Sequence, residues 1–213
     1  MKTDELVEFL ATGTNSVDRR QHVRRFLAGV AFGCLAAALL TAEALGLHPA
    51  LSQEALLPMF WVREAFCAAL GAAALAGVVR LSRPGARLGL VPAALAACVL
   101  AMWILAAASL TDASPQQRAD LVFGQTAKVC PFLIALVSVP LFFSVIWIMR
   151  GLAPTHLRLA GAVGGFAAGA LGALAYSLHC PELAAPFLGI WYLLGMLIPT
   201  AVGAAFGPRL LRW

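Results

Sequence analysis

Six apolar runs of about twenty residues each, separated by short polar turns, govern what this chain can become. They cover residues 26–47, 61–79, 89–110, 131–149, 159–178 and 185–206. Runs of that length cross a bilayer as helices, whereas an open sheet would leave its backbone N–H and C=O groups unpaired in lipid. Composition matters at one point: only 12% of the residues are charged and 62% are hydrophobic, against roughly 25% charged in soluble domains. The expected fold class is all-α, a polytopic membrane helix bundle with about six transmembrane helices, and the bilayer is its first partner. The polar first 25 residues do not resemble a secretory signal, and the first apolar run is too long for a signal core. It is expected to remain as an anchor. Three regions follow: a polar segment at 1–25, a transmembrane domain at 26–207 and a short tail at 208–213.

Orientation follows from the basic residues. Twelve of the fifteen Lys and Arg side chains lie in the N-terminal segment, in the turns after the second and fourth runs, or in the tail. Arg63, Arg118 and Lys128 are the three that fall on or near the other side. Positively charged turns stay in the cytoplasm, so both termini are expected there. A net charge of +5 might otherwise suggest nucleic acid. Here the basic residues are distributed by topology rather than gathered into one face, so direct nucleic-acid binding is not expected.

The N-terminal segment carries a pattern of its own. Thr3 can cap a short helix in which Leu6, Phe9 and Leu10 recur at helical spacing, while Asp4, Glu5 and Glu8 occupy other positions. Acidic side chains in a first turn suit the helix dipole. Two or three turns are marginal in isolation. A short amphipathic helix on a polar Gly-Thr-Asn-Ser leash is the form of a partner-docking segment. A disordered terminus or a helix lying on the membrane surface fits the same composition.

Five cysteines divide into two groups. Cys34, Cys67 and Cys98 fall inside the first three runs, where a thiol is commonly a small apolar packing group. Cys130 and Cys180, each followed by proline, stand at the ends of the fourth and fifth runs. Twenty-one residues separate Cys130 from Gly151, about 31 Å of helix, and twenty-two separate Arg158 from Cys180, about 33 Å. The two sulfurs should therefore reach similar heights at the face opposite the basic turns, which is periplasmic. His179 and Glu182 flank Cys180 and add an imidazole and a carboxylate. Two thiolates suit a soft ion such as Cu(I), Zn(II) or Cd(II), either in a linear site or in a three-ligand site with His179. A disulfide and an incidental coincidence are equally open on spacing alone.

Other features carry less. Glu43 and Arg63 lie near the outer ends of the first two runs and could pair to close that hairpin. Gly161, Gly165 and Gly169, with Gly203 and Gly207, provide small-residue faces for close helix approach. No phosphate loop, GxSxG, HExxH or paired carboxylates occur, so neither an enzyme nor a required cofactor is expected. The residues leave three functional classes: a signal transducer, a small metal or drug transporter, and a disulfide-based redox sensor.

The opening Met1-Lys2-Thr3-Asp4-Glu5-Leu6, the rim motif Lys128-Val129-Cys130-Pro131, and the run from His179-Cys180-Pro181-Glu182 through Pro186-Phe187 to Trp191-Tyr192 together resemble the NrsF family. Its members are six-span integral membrane anti-sigma factors, negative regulators of sigma F, an extracytoplasmic-function sigma factor. The resemblance implies that residues 3–10 hold the sigma factor at the membrane. It implies that Cys130 and Cys180 are the paired extracytoplasmic cysteines used in the response to heavy metals. Cys34, Cys67 and Cys98 are not part of the pattern.

Overall fold

Every long helix here is apolar nearly all round, so neighbours are chosen by how closely two backbones can approach. In a computed structural model describing residues 19–82, 85, 87–152 and 154–212, the glycine- and alanine-rich fifth span, Leu157–Tyr176, is the one most enclosed by the others. The sixth span, Ala185–Leu210, lies along one side of it. A methyl group placed on Gly161 would strike the Gly203 carbonyl, one on Gly165 the Pro199 carbonyl, and one on Gly207 the Leu157 carbonyl. The two glycine faces read from the sequence therefore meet each other, backbone to backbone.

The remaining spans surround this pair. The second span, Pro58–Leu81, packs on the fifth where Gly71 meets Leu171 and Gly77 meets Val163. The fourth packs on it where Gly164 meets Met149 and Val145. The first, Val23–Leu45, leans on the fourth through Gly29 against Ile148 and Gly33 against Leu141. The third, Val91–Asp112, is the most peripheral, with only 11% of its apolar window buried, and touches the start of the sixth. The all-α membrane bundle expected from the six runs is the architecture observed, with no strand among the described residues.

Several details depart from six straight rods. The fourth span is two segments, Cys130–Val137 and Val139–Arg150, bent by 44° at Ser138. Pro140 has no N–H to offer the Leu136 carbonyl and its ring crowds the preceding turn, which is the usual origin of a kink. Ser138 reinforces the bend, since its amide and its hydroxyl both donate to the Ile134 carbonyl, at 2.9 and 2.6 Å. The first span ends in a π turn, Thr41–Leu45, stopped by Gly46 at φ +80°. A second π turn, Leu188–Tyr192, interrupts the sixth span near its start. Short helices at Leu51–Glu54 and Pro115–Phe123, which are too brief to appear as apolar runs, occupy the loops at the cysteine end.

The loops after the first, third and fifth spans meet at that one end. The amphipathic segment expected at residues 3–10 lies outside the described residues.

Candidate functional site

The fifth helix stops just beyond Tyr176 because Pro181 forces the preceding residue out of the α region. Cys180 is thereby turned inward, its amide still bonded to the Tyr176 carbonyl at 3.2 Å. Cys130 begins the fourth span, its amide donating to the Thr126 carbonyl at 2.9 Å, with Pro131 in the first turn where no N–H is needed. Both side chains are fully buried free thiols in one packed cluster, near enough that each acts on the other's proton. The height match estimated from residue counts is thus realised as two thiols in one buried cluster.

The surroundings favour charge on one sulfur. The Thr126 hydroxyl lies 3.9 Å from the Cys180 sulfur. The Tyr192 hydroxyl is buried without a well-formed partner and borders the same sulfur. The shared hydrogen bond from Cys130, with further donors at the Glu182 amide and the Tyr192 and Thr126 hydroxyls, pulls the Cys180 thiol down to about 6, against the opposing effect of burial.

Five hydrogen bonds fix the loop that carries Cys180. Arg63 reaches it from the second span, donating through Nη1 to the Cys180 carbonyl at 2.7 Å and the Glu182 carbonyl at 3.2 Å. Glu182 Oε1 accepts the Gln125 amide at 2.7 Å, in the turn leading to Cys130. The His48 amide donates to the Leu178 carbonyl at 3.0 Å, and His179 Nδ1 donates to the Gly46 carbonyl at 2.9 Å. Gly124, at φ +49°, is required where it stands, since a Cβ there would collide with the Glu182 carboxylate.

These contacts correct two expectations. Arg63 does not close the first hairpin with Glu43: its ionic neighbour is Glu64, at 3.3 Å, and its guanidinium serves the Cys180 loop and stacks over Phe60 at 5.1 Å. Nor does His179 complete a three-ligand site. Its ring is held toward the Gly46 carbonyl, and among the described residues no three His, Cys, Asp or Glu side chains stand close enough to hold one ion. What remains is a pair of sulfurs, a donor set suited to a soft ion of low coordination number. Cys67 is buried in the same cluster, while Cys34 and Cys98 are partly buried against apolar neighbours, so all three pack.

Arg63 and Gln125 are the partners that sequence reasoning missed. The one available signal was a charged residue inside an apolar span, a placement usually tied to function. Trp191 donates to the Val122 carbonyl at 2.8 Å and fastens the sixth span to the loop after the third.

Residues 10–213 match the family described as NrsF, negative regulator of sigma F. The chain belongs to the NrsF family. Across the full length of both chains it is 49% identical to the probable anti-sigma-F factor NrsF of Azospira oryzae. It is 36% identical to the anti-sigma-F factor NrsF of Caulobacter vibrioides, again over all of each. No solved structure matches. These relatives are named as regulators of a sigma factor, in keeping with the absence of enzyme motifs in the chain.

Proposed function

We propose that this chain is an integral membrane anti-sigma factor. It holds an extracytoplasmic-function sigma factor at the cytoplasmic face of the inner membrane through Thr3, Asp4, Glu5, Leu6, Phe9 and Leu10. It releases that factor when a soft metal ion bridges Cys130 and Cys180 on the periplasmic side. One observation carries the sensing half of this reading: two buried thiols, one heading the fourth span and one on the loop after the fifth, share one cluster and act on each other's proton. A thiophilic ion entering there displaces the proton of the shared hydrogen bond and binds both sulfurs.

The energetics set a limit. An ion shifts the balance between holding and releasing states only by its differential affinity for them. A hundredfold preference supplies about 2.8 kcal/mol. A coupling of that size suits a short docked helix better than an extensive interface. A proton-coupled transporter fits less well, because the buried charged residues among those described, Arg63 and Glu54, both lie at the cysteine end and leave the middle of the bundle uncharged.

The test is a sigma-dependent reporter carrying Cys130→Ser, Cys180→Ser and the double substitution. All three should lose metal induction, and a wild-type response in all three would end the sensing claim. Deleting residues 2–12 should leave the reporter permanently active, and a reporter that stays repressed would remove the docking claim. Two thiols in contact can also close as a disulfide, so thiol labelling after metal and after oxidant separates ligation from oxidation.

A further inference from the structure

Arg63 is the largest fully buried side chain among the described residues, and its position is unusual for a guanidinium. Glu64 beside it is partly exposed and reaches only Nε, at 3.3 Å. Its Nη1 is committed to the backbone carbonyls of Cys180 and Glu182, and its Nη2 has no partner. A buried cation held mainly by two carbonyls of a loop cannot part from that loop without losing most of its compensation. We propose that Arg63 is the positioning residue that makes the second span move with the cysteine loop, so that the state of the sulfur pair is transmitted along that span to the opposite face.

Several features make the second span a suitable carrier. It runs from Arg63, one to two turns inside the cysteine rim, to Leu81 at the basic end. Its face toward the central fifth span carries Gly71, Ala74 and Gly77, with Leu171 and Val163 seated against the two glycines, so the two helices lie close along their length. At its far end Arg80 donates to the Leu88 carbonyl at 3.2 Å, which ties the span to the following turn. Cys180 is the residue whose sulfur would bind an ion and whose carbonyl Arg63 holds at 2.7 Å, so displacement of one is felt by the other. The other anchors of the loop, at His48, Gly46 and Gln125, join it to loops rather than to a membrane-crossing helix.

This inference rests on the proposed metal reading, and its test separates the two. Full-length wild type, Arg63→Gln and Arg63→Lys are compared for Cu(I) affinity, by competition with a chromophoric chelator, and for the copper concentration giving half-maximal reporter induction. Arg63→Gln should keep its Cu(I) affinity within about threefold while the concentration needed for induction rises about tenfold or more, and Arg63→Lys should lie between. A dose curve for Arg63→Gln that overlays wild type would overturn the proposal. So would a loss of affinity in proportion to the loss of response, because Arg63 would then only shape the site. If Arg63→Gln does not accumulate in membranes, Arg63→Lys decides: a shifted curve with retained affinity supports the proposal, and an unshifted one rejects it. A wild type that does not respond to copper counts against the metal reading alone. The same comparison is then made with diamide, which takes up the two thiol protons and electrons and leaves the sulfurs joined as a disulfide; induction of Arg63→Gln equal to wild type again overturns transmission through Arg63.

Discussion

The two ends of the bundle are built on different principles. At the cysteine end, backbone and side-chain hydrogen bonds cross between segments far apart in sequence: Arg63 to Cys180 and Glu182, Glu182 to Gln125, His48 to Leu178, His179 to Gly46, and Trp191 to Val122. At the arginine end, apolar packing such as the fully buried Met149 and Leu211 holds the helices. Its exposed arginines, including Arg25, Arg150, Arg158 and Arg209, have no carboxylate partner among the described residues. Directional bonds fix one arrangement of atoms, whereas unpaired surface cations leave a face available to headgroups and to a partner. That division suits the proposed sensor, with its specified site at the cysteine end.

Substitutions can break that contrast in graded steps. Gly165→Leu should act on both ends at once, because its side chain must displace the Pro199 backbone. Overpacking of this kind destabilises by about 3 kcal/mol or more, and the expected outcome is loss of the monodisperse protein in detergent with a lowered aggregation temperature. Glu182→Ala removes a charge-assisted acceptor from the Gln125 amide at the cysteine end only. It should destabilise the turn by about 1.5–3 kcal/mol, visible as faster hydrogen exchange around residue 125 with the arginine end unchanged. Uniform exchange throughout the bundle would contradict the division between the ends.

Acidity sharpens the comparison further. With Cys180 lowered to about 6, its thiolate is present above that pH and ion binding displaces only the proton shared with Cys130. As the pH is lowered, affinity for Cu(I) should fall about tenfold per unit down to pH 6 and up to about a hundredfold per unit below it, as a second proton begins to compete. Competition titrations between about pH 5 and 8 measure the slope, and a pH-independent affinity would contradict thiolate ligation. The smallest effect is expected from His179→Ala. Its ring is occupied with Gly46, so the half-maximal metal concentration should change by less than about threefold, the equivalent of one neutral hydrogen bond of roughly 0.5 kcal/mol.

Much of this architecture was legible in the sequence for a simple reason: periodicity and run length are local properties. The six spans, the glycine faces of the fifth and sixth, and the shared height of Cys130 and Cys180 all follow from counting along the chain. The kink at Ser138 had its signal in Pro140, but whether a proline bends a span depends on what packs into the gap. The partners of Arg63 and Glu182 were not legible. Those bonds join residues more than fifty positions apart, and choosing them requires knowing which loops share an end and which backbone carbonyls are left without helical partners. The Glu43–Arg63 pairing failed on the same ground, since opposite charge at similar depth does not say that a carbonyl lies nearer.

The decisive measurement is the first coordination shell of Cu(I) bound to the full-length protein, read by X-ray absorption on wild type and on Cys130→Ser. The account predicts a shell of two sulfurs in the wild type, reduced to one in the variant. A shell without sulfur, or one that Cys130→Ser leaves unchanged, would contradict it.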